Sequence, residues 1–377
     1  MPDVPNITPL PPDAITLADH QRIAASRLDE RAWAYFQGGA ADELTLASNL
    51  AAWAHIRLRP RVLRDLTQGH TRVSLLGRTL AHPMLLAPVA FQRMAHPDGE
   101  LASALAASAQ GAGMVLSCQS SMPLELIAQA IANDATRGPL WFQLYLQHDR
   151  DFTLELIRRA EAAGYEALVL TADAPATGSR DRERRAGFAV PDGIEAVNLK
   201  GLPSWQPSPL QPGQSALFNA LLHQAPTWQD LAWLRQHTRL PLVIKGILHP
   251  DDARLARDQG MDAIVVSNHG GRTLDTAVDT ATALTEVVAA VGQDLPVLVD
   301  GGIRRGTDVL KAMALGARAV LIGRPQVHGL ATAGALGVAH VLRLLRDELE
   351  IAMALTGCAT LEQIDPDLLL HRLNAPS

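Results

Sequence analysis

The segment Ser267-Asn268-His269-Gly270-Gly271-Arg272 packs a proton-transfer group, a glycine pair and a cation into one short stretch. An imidazole exchanges protons near neutral pH, and a guanidinium grips carboxylate or phosphate with a planar fork. The stretch follows Ala263-Ile264-Val265-Val266, an apolar run of the kind that forms a strand buried on both faces. A histidine in that place is more often structural than catalytic, and Gly-Gly is more often just a turn. Other reactive side chains must therefore share its position before chemistry is the better reading.

They do. Apolar runs along this chain end repeatedly in polar residues: Ser117, Gln143 with Tyr145, Thr171 with Asp173, Lys245, Ser267 with His269, Asp300, and Gly323-Arg324. Polar groups in a strand core are costly unless they are paired or bind something. So many at one rim point to a large polar ligand. The last two runs carry a phosphate signal, Asp300-Gly301-Gly302-Ile303-Arg304 and Ile322-Gly323-Arg324-Pro325. Glycine lets backbone N–H groups approach an anion, and arginine adds a charged fork. Lys245 is either a Schiff-base amine or a cation beside an electron-rich cofactor, so an aldolase-type lyase stays open here. Arg180 with His269 fits another chemistry, a clamped carboxylate beside a proton acceptor. Tyr35, just ahead of Gly38-Gly39, can aim its hydroxyl into the same site, whereas Trp33 and Phe36 read as packing.

These residues need a scaffold that brings eight strand ends together. Periodicity predicts a helix over 17–37 capped by Gly38-Gly39 and a second over 42–54. Strand-then-helix units begin near residue 84. Strands are expected at 84–90, 114–118, 140–146, 167–172, 241–246, 263–266, 296–300 and 319–323. Helices follow them, and the last runs to about residue 356. Eight such units after a helical leader give a (βα)8 TIM barrel, whose active sites sit at the C-terminal ends of the strands. A doubly wound sheet is the alternative, but no G-x-G-x-x-G follows an early strand. Residues 174–227 interrupt the pattern with Arg180 to Arg185 and then many Pro, Gly, Ser and Gln. A stretch this long reads as a mobile lid, and its arginines as a solvated face. The whole is expected to be a single barrel domain over 1–377. It comprises a loose arm at 1–12, a helical leader at 13–83, the barrel at 84–350, and a closing tail at 351–377.

Composition excludes several classes. With a net charge of −6 the chain has no electrostatic footprint for nucleic acid or an anionic membrane. Apolar residues at 47% against 19% charged suit an enzyme with much buried helix surface. The cysteines, Cys118 and Cys358, are far apart in apolar surroundings and read as buried thiols. No CxxC or HExxH pattern occurs, so no metal site is expected. The Pro-rich, acidic start lacks a signal-peptide pattern, and no apolar run approaches the roughly 20 residues that span a bilayer. A cytoplasmic protein without a membrane anchor is the expectation.

Taken in order, these motifs resemble the FMN-dependent α-hydroxy acid oxidases and dehydrogenases, over about residues 15–365. The signature is Ser267-Asn268-His269-Gly270-Gly271-Arg272 with Leu274-Asp275. It is supported by Ala87-Pro88-Val89-Ala90, Phe142-Gln143-Leu144-Tyr145, Leu170-Thr171-Ala172-Asp173, Lys245-Gly246, the stretch from Asp300 to Asp308, and Gly323-Arg324-Pro325. The resemblance implies that His269 is the active-site base and Asp173 the carboxylate that orients it. Arg272 and Arg180 would grip the substrate carboxylate, with Tyr35 and Tyr145 as phenols beside the substrate. For FMN, Lys245 would sit at the N1/O2 edge, Ser117, Gln143 and Thr171 along the ring edge, and Ala87, Pro88 and Ala90 beneath it. Ser267 would meet the ribityl chain, and Asp300, Gly302, Arg304, Gly323 and Arg324 the ribityl and phosphate groups.

The implied reaction oxidises an (S)-2-hydroxy acid to the 2-oxo acid. Oxygen is the expected acceptor, giving hydrogen peroxide, and a quinone or other acceptor is the alternative. A homotetramer follows from the family alone. Ala90 resembles the alanine of the oxidases. Val89 stands where threonine is frequent, Gln119 where glycolate oxidase has tryptophan, and Thr177 in a region that shapes the substrate pocket. The substrate's tail therefore meets an unusual wall. A Schiff-base lyase and a non-catalytic flavoprotein are the competing classes.

Overall fold

The computed structural model describes residues 8–206 and 209–370. Eight parallel strands close a barrel: β1 (Met84–Leu86), β2 (Gly113–Ser117), β3 (Leu140–Leu144), β4 (Ala167–Thr171), β5 (Leu242–Ile247), β6 (Ala263–Val266), β7 (Val297–Val299) and β8 (Ala319–Ile322). Each pairs with the next, and β8 returns to β1 through Leu321 opposite Leu85. The expected (βα)8 barrel is what forms. All residues of β1 to β4 are buried, because helices cover the outside of the sheet while side chains fill its interior. This is why the strands read as continuous apolar runs.

The strands are shorter than expected at their C-terminal ends. Residues 87–90, 145–146 and 300 have left the ladder. Ala87 to Ala90, Tyr145 and Asp300 line the cavity there, while the Ala87 and Asp300 N–H groups still donate to the Ile322 and Val266 carbonyls. At the end of β5 the ladder shifts register between Lys245 and Ile247. Gly246 lies there at φ +111°, and an added Cβ would stand 2.5 Å from that of Asp173. Only glycine lets β5 pass the Asp173 side chain.

The leader differs from the single helix predicted over 17–37. It is two helices, Leu17–Arg27 and Glu30–Gln37. Thr16 and Asp19 form a capping box on the first, while Asp29 turns extended and accepts the Ala32 N–H to start the second. Gly38 is not a left-handed cap, since its φ is −62°. The glycine pair is needed for close approach: an added Cβ would lie 2.4 Å from the Ala34 carbonyl at Gly38 and 3.0 Å from the Gly271 carbonyl at Gly39. The next helix, Leu44–His55, starts two residues later than expected. The rest of the leader is not helical: Val73–Leu75 and Arg78–Leu80 form a hairpin across Leu76-Gly77, both at positive φ.

The tail, expected to close the barrel, packs Leu361, Ile364 and Leu368 into the core, and Leu369–Leu370 pairs antiparallel with Arg57–Leu58 of the leader. The segment Arg324–Thr356 is two helices across a kink at Ala333 and Gly334. Gly329 and Gly337 touch across it, since a Cβ on Gly337 would lie 1.9 Å from the Gly329 carbonyl oxygen. By length and composition this segment could cross a bilayer, but 67% of its apolar window is buried inside the protein. It packs on helices Gly99–Gln110, Leu17–Arg27 and Gly306–Ala314.

The interruption after β4 is more ordered than a loose lid. It holds the helix Asp181–Arg185 and the one-turn helix Ala216–Asn219. Asn198, fully buried, accepts the Leu124 N–H and donates to Ser120 Oγ and the Met122 carbonyl. Gly178 passes so close to the β6 loop that a Cβ would stand 2.2 Å from the Thr273 carbonyl oxygen. Nor is the arginine patch simply solvated: Arg182 pairs with Glu43 and Arg180 with Glu183. Residues 1–7 of the expected arm and 371–377 of the tail lie outside the described residues. Both Cys118 and Cys358 are buried free thiols. Burial pushes the Cys118 thiol up to about 12.

Candidate active site

One cavity opens at the C-terminal rim of the barrel. Its wall includes Tyr35, Tyr145, Arg180, His269 and Arg272 together with Lys245, Asp300, Gly302, Arg304, Gly323 and Arg324. Ala87, Pro88, Ala90, Ser117, Gln143 and Thr171 also line it. Asp173 and Ser267, also predicted for the site, stand behind the wall.

His269 is held in an uncommon conformation. It has φ +56°, and Gly270 and Gly271 follow at +62° and +75°. A left-handed histidine is strained unless its surroundings fix it. Ser267 Oγ accepts the His269 backbone N–H at 3.0 Å, and Asn268 Oδ1 accepts the Gly271 N–H at 3.1 Å. Asn268 is locked in turn by a reciprocal amide pair with Asn49, 2.9 Å each way. This support from the leader carried no signal in the sequence, because it joins residues 219 apart.

His269 Nδ1 lies 2.9 Å from Asp173 Oδ1. A carboxylate only accepts, so Nδ1 carries the proton and the lone pair is on Nε2. Burial is the largest influence on this imidazole and lowers its pKa, while Asp173 works against that shift. Burial acts to raise the Asp173 pKa, but His269 and Lys245 outweigh it and the net shift is downward. The pair therefore sits at neutral pH as a neutral base and an ionised carboxylate.

Lys245 Nζ donates to Ser267 Oγ at 2.8 Å and lies 3.1 Å from Asp300 Oδ2. Burial opposes its charge, yet Asp300 and Asp173 more than offset it and raise the pKa. An amine held as ammonium lacks the free lone pair that Schiff-base formation needs, so the site favours Lys245 as a fixed cation. Ser267 was expected at a ribityl chain. Its hydroxyl joins Lys245 to the His269 backbone, and the residue is fully buried. The Lys245–Asp300 pair was not foreseen.

Arg272 donates to the Gly38 carbonyl at 2.8 Å and to the Tyr35 carbonyl, and it reaches Glu183 at 3.0 Å. Its guanidinium lies 5.0 Å from the Tyr35 ring centroid, and Phe188 of the lid stacks on that ring at 4.7 Å. Arg180 Nε is buried with no partner. The wall also includes Phe36, Val89, Gln119 and Val327. Phe36 was read as packing only. It does pack with Ala32 and Val327, but it also faces the cavity.

Arg324 donates to the carbonyls of Gln37, Gly270 and Gly38 at 3.2, 2.8 and 2.7 Å. Burial and then the Arg272 and Arg304 charges push its pKa well down, and burial pushes Arg304 down to about 10. Cations crowded this way call for an anion. Above Gly323 an added Cβ would find only Ala87 Cβ, 4.0 Å away, so its backbone is open to a ligand. Gln143 Nε2 and Asp300 Oδ1 are buried without partners along the same cavity. This donor and acceptor set fits a phosphorylated flavin: cations for the phosphate, a free amide and Lys245 for the ring edge.

A family model described as FMN-dependent dehydrogenase matches residues 24–371. An L-lactate oxidase of Nostoc sp. is 49% identical over 94% of this chain and 98% of its own length. Glycolate oxidase 1 of Zea mays is 43% identical over 92% and 93%. Among solved structures, mandelate oxidase with benzoyl-formic acid superposes with a TM-score of 0.83 at 44% identity, covering 94% of this chain and 98% of that one. Matched over nearly its whole length and carrying a cavity built for a flavin phosphate, the chain belongs to the FMN-dependent dehydrogenase family.

Proposed function

We propose that this protein oxidises an (S)-2-hydroxy acid to the 2-oxo acid with bound FMN and dioxygen, which leaves as hydrogen peroxide. The observation that carries the proposal is one cavity shared by a neutral imidazole held by a carboxylate, an arginine pair and a buried ammonium. Arg180 and Arg272 hold the substrate carboxylate, Arg180 through the buried Nε that has no partner in the protein. Tyr35 and Tyr145 line the space beside it. Burial raises the pKa of both phenols, so each stays a hydrogen-bond donor at neutral pH. His269 Nε2 takes the proton that oxidation releases, and Asp173 stabilises the resulting imidazolium.

Bound FMN would supply the two-electron acceptor for the substrate carbon and the route of those electrons to oxygen. Lys245 and the polar edge Ser117, Gln143 and Thr171 would hold its ring over Ala87, Pro88 and Ala90. Asp300 with Gly302 and Arg304, then Gly323 and Arg324, would hold the ribityl and phosphate end. Ser267 acts from behind, through Lys245. Support for oxygen as acceptor comes from the relatives named as oxidases. A cytoplasmic homotetramer built of one barrel domain per chain belongs to the same proposal; light scattering on the purified holoenzyme checks the assembly.

Anaerobic holoenzyme mixed with a panel of aliphatic and aromatic 2-hydroxy acids tests the reaction. Bleaching of the flavin, with colour returning in air and peroxide appearing, is the expected result. A flavin that no member of the panel bleaches would overturn the proposal. Bleaching that persists in air but reverses with a quinone would move the acceptor to the dehydrogenase alternative.

A further inference from the structure

Glu183 is a carboxylate placed between two cations of the cavity, though it does not reach the cavity wall itself. Its Oε1 lies 3.0 Å from Arg272 Nη2 and 3.4 Å from Arg180 Nη1. Its side chain is only 13% exposed. Of the neighbouring charges, Lys245 pairs with Asp300, His269 with Asp173 and Arg182 with Glu43, and Arg304 and Arg324 are left for the phosphate proposed above. Among the described residues, Glu183 is the carboxylate hydrogen-bonded to both arginines. Without it, two guanidiniums would face each other in a buried place.

We infer that Glu183 sets the charge of the carboxylate clamp, holding Arg180 and Arg272 from behind and leaving them one net positive charge to match one substrate carboxylate. This rests on the function proposed above. The carboxylate is common to 2-hydroxy acid and 2-oxo acid, so extra attraction to it binds substrate and product alike. Such uniform binding slows release without helping the chemistry. Glu183 limits that attraction. A unit charge ~8 Å from the ligand carboxylate, at an effective dielectric of ~30, changes affinity about tenfold. Glu183 is thus a positioning residue, acting through the arginines.

The test compares wild type, Glu183→Gln and Glu183→Asp as FMN holoenzymes. Gln keeps the length and an acceptor oxygen but removes the charge; Asp keeps the charge. The dissociation constant of pyruvate, a non-reducing 2-oxo acid, is read from the perturbation of flavin absorbance. The expected result is pyruvate binding about tenfold tighter in Glu183→Gln, with flavin content as in wild type. A merely structural role would loosen binding and lower the midpoint together. Glu183→Asp should stay within about threefold of wild type, since the charge is retained. Unchanged or weaker pyruvate binding in Glu183→Gln overturns the inference. Should that variant not yield holoenzyme, a shift of about tenfold or more in Glu183→Asp does so. The readout needs no turnover, so its failure is distinct from a wild-type flavin that no 2-hydroxy acid bleaches.

Discussion

At the scale of single residues, His269 carries the most chemistry, on a left-handed backbone. A general base contributes about 10²- to 10⁴-fold, so His269→Gln should slow anaerobic flavin bleaching by roughly that factor while the protein keeps its FMN. The pH dependence has a definite sign. Burial lowers the His269 pKa from its ordinary 6.5, and the active form is the unprotonated one. The rate at limiting substrate should rise with pH through a value below 6.5 and be flat above it. Asp173→Asn removes the group that holds this pKa up, so the acid limb should move to still lower pH as the plateau falls. An acid limb that moves upward in Asp173→Asn would contradict the assigned pairing. Lys245 is tested separately. Lys245→Met leaves Asp300 and Ser267 without their cation, and stopped-flow reduction should slow about 10²- to 10³-fold.

At the scale of elements, the site depends on close backbone passages. The lid reaches the β6 loop only because Gly178 lacks a side chain: the Thr273 carbonyl oxygen would be 2.2 Å from a Cβ there. That gap is too small for a carbon, so the lid must lift. Gly178→Ala should raise KM for the 2-hydroxy acid more than it lowers the saturating rate, because Arg180 and Glu183 are carried on the displaced segment. Limited proteolysis of residues 174–200 should become faster in the same variant. Gly246 plays a similar part beneath Asp173. The glycine pairs after β6 and β7 are crowded in the same way: an added Cβ would stand 2.6 Å from the Leu46 backbone nitrogen at Gly271 and 2.5 Å from the Asn49 carbonyl oxygen at Gly302.

At the scale of the whole molecule, stability should fall on the acid side. His82 and His20 are fully buried. Burial lowers each imidazole from 6.5 to about 4. His82 contacts the Gln110 carbonyl at 3.0 Å, and His20 lies 2.9 Å from His340. The unfolded chain takes up protons at these sites between pH 6.5 and about 4, and the folded one does not. Their contribution is therefore whole above 6.5 and is lost as pH falls toward 4, by roughly 3 kcal/mol for His82. His82→Gln keeps a donor for Gln110 and cannot titrate, so its thermal midpoint should fall less steeply across that window. Equal slopes in the two proteins would count against the assignment.

Much of this was legible in the chain itself. Eight apolar runs, seven of them ending in polar or charged residues, determined the barrel and the rim on which Lys245, His269, Asp300 and Arg324 stand, because a strand buried on both faces leaves no other pattern. Local capping chemistry was equally readable at Asp29, where an N-cap aspartate splits the leader, although helical periodicity alone joined the two halves. What only the tertiary structure decided are the pairings across distance. Asn49 locks Asn268, Asp300 keeps Lys245 an ammonium, Glu183 joins Arg180 to Arg272, and the tail pairs with the leader. Charge state and hydrogen-bond partner depend on which side chains the fold brings within 3 Å or so of each other. That distance is set by the path of the backbone through glycines such as Gly178 and Gly246, and no spacing along the chain encodes it.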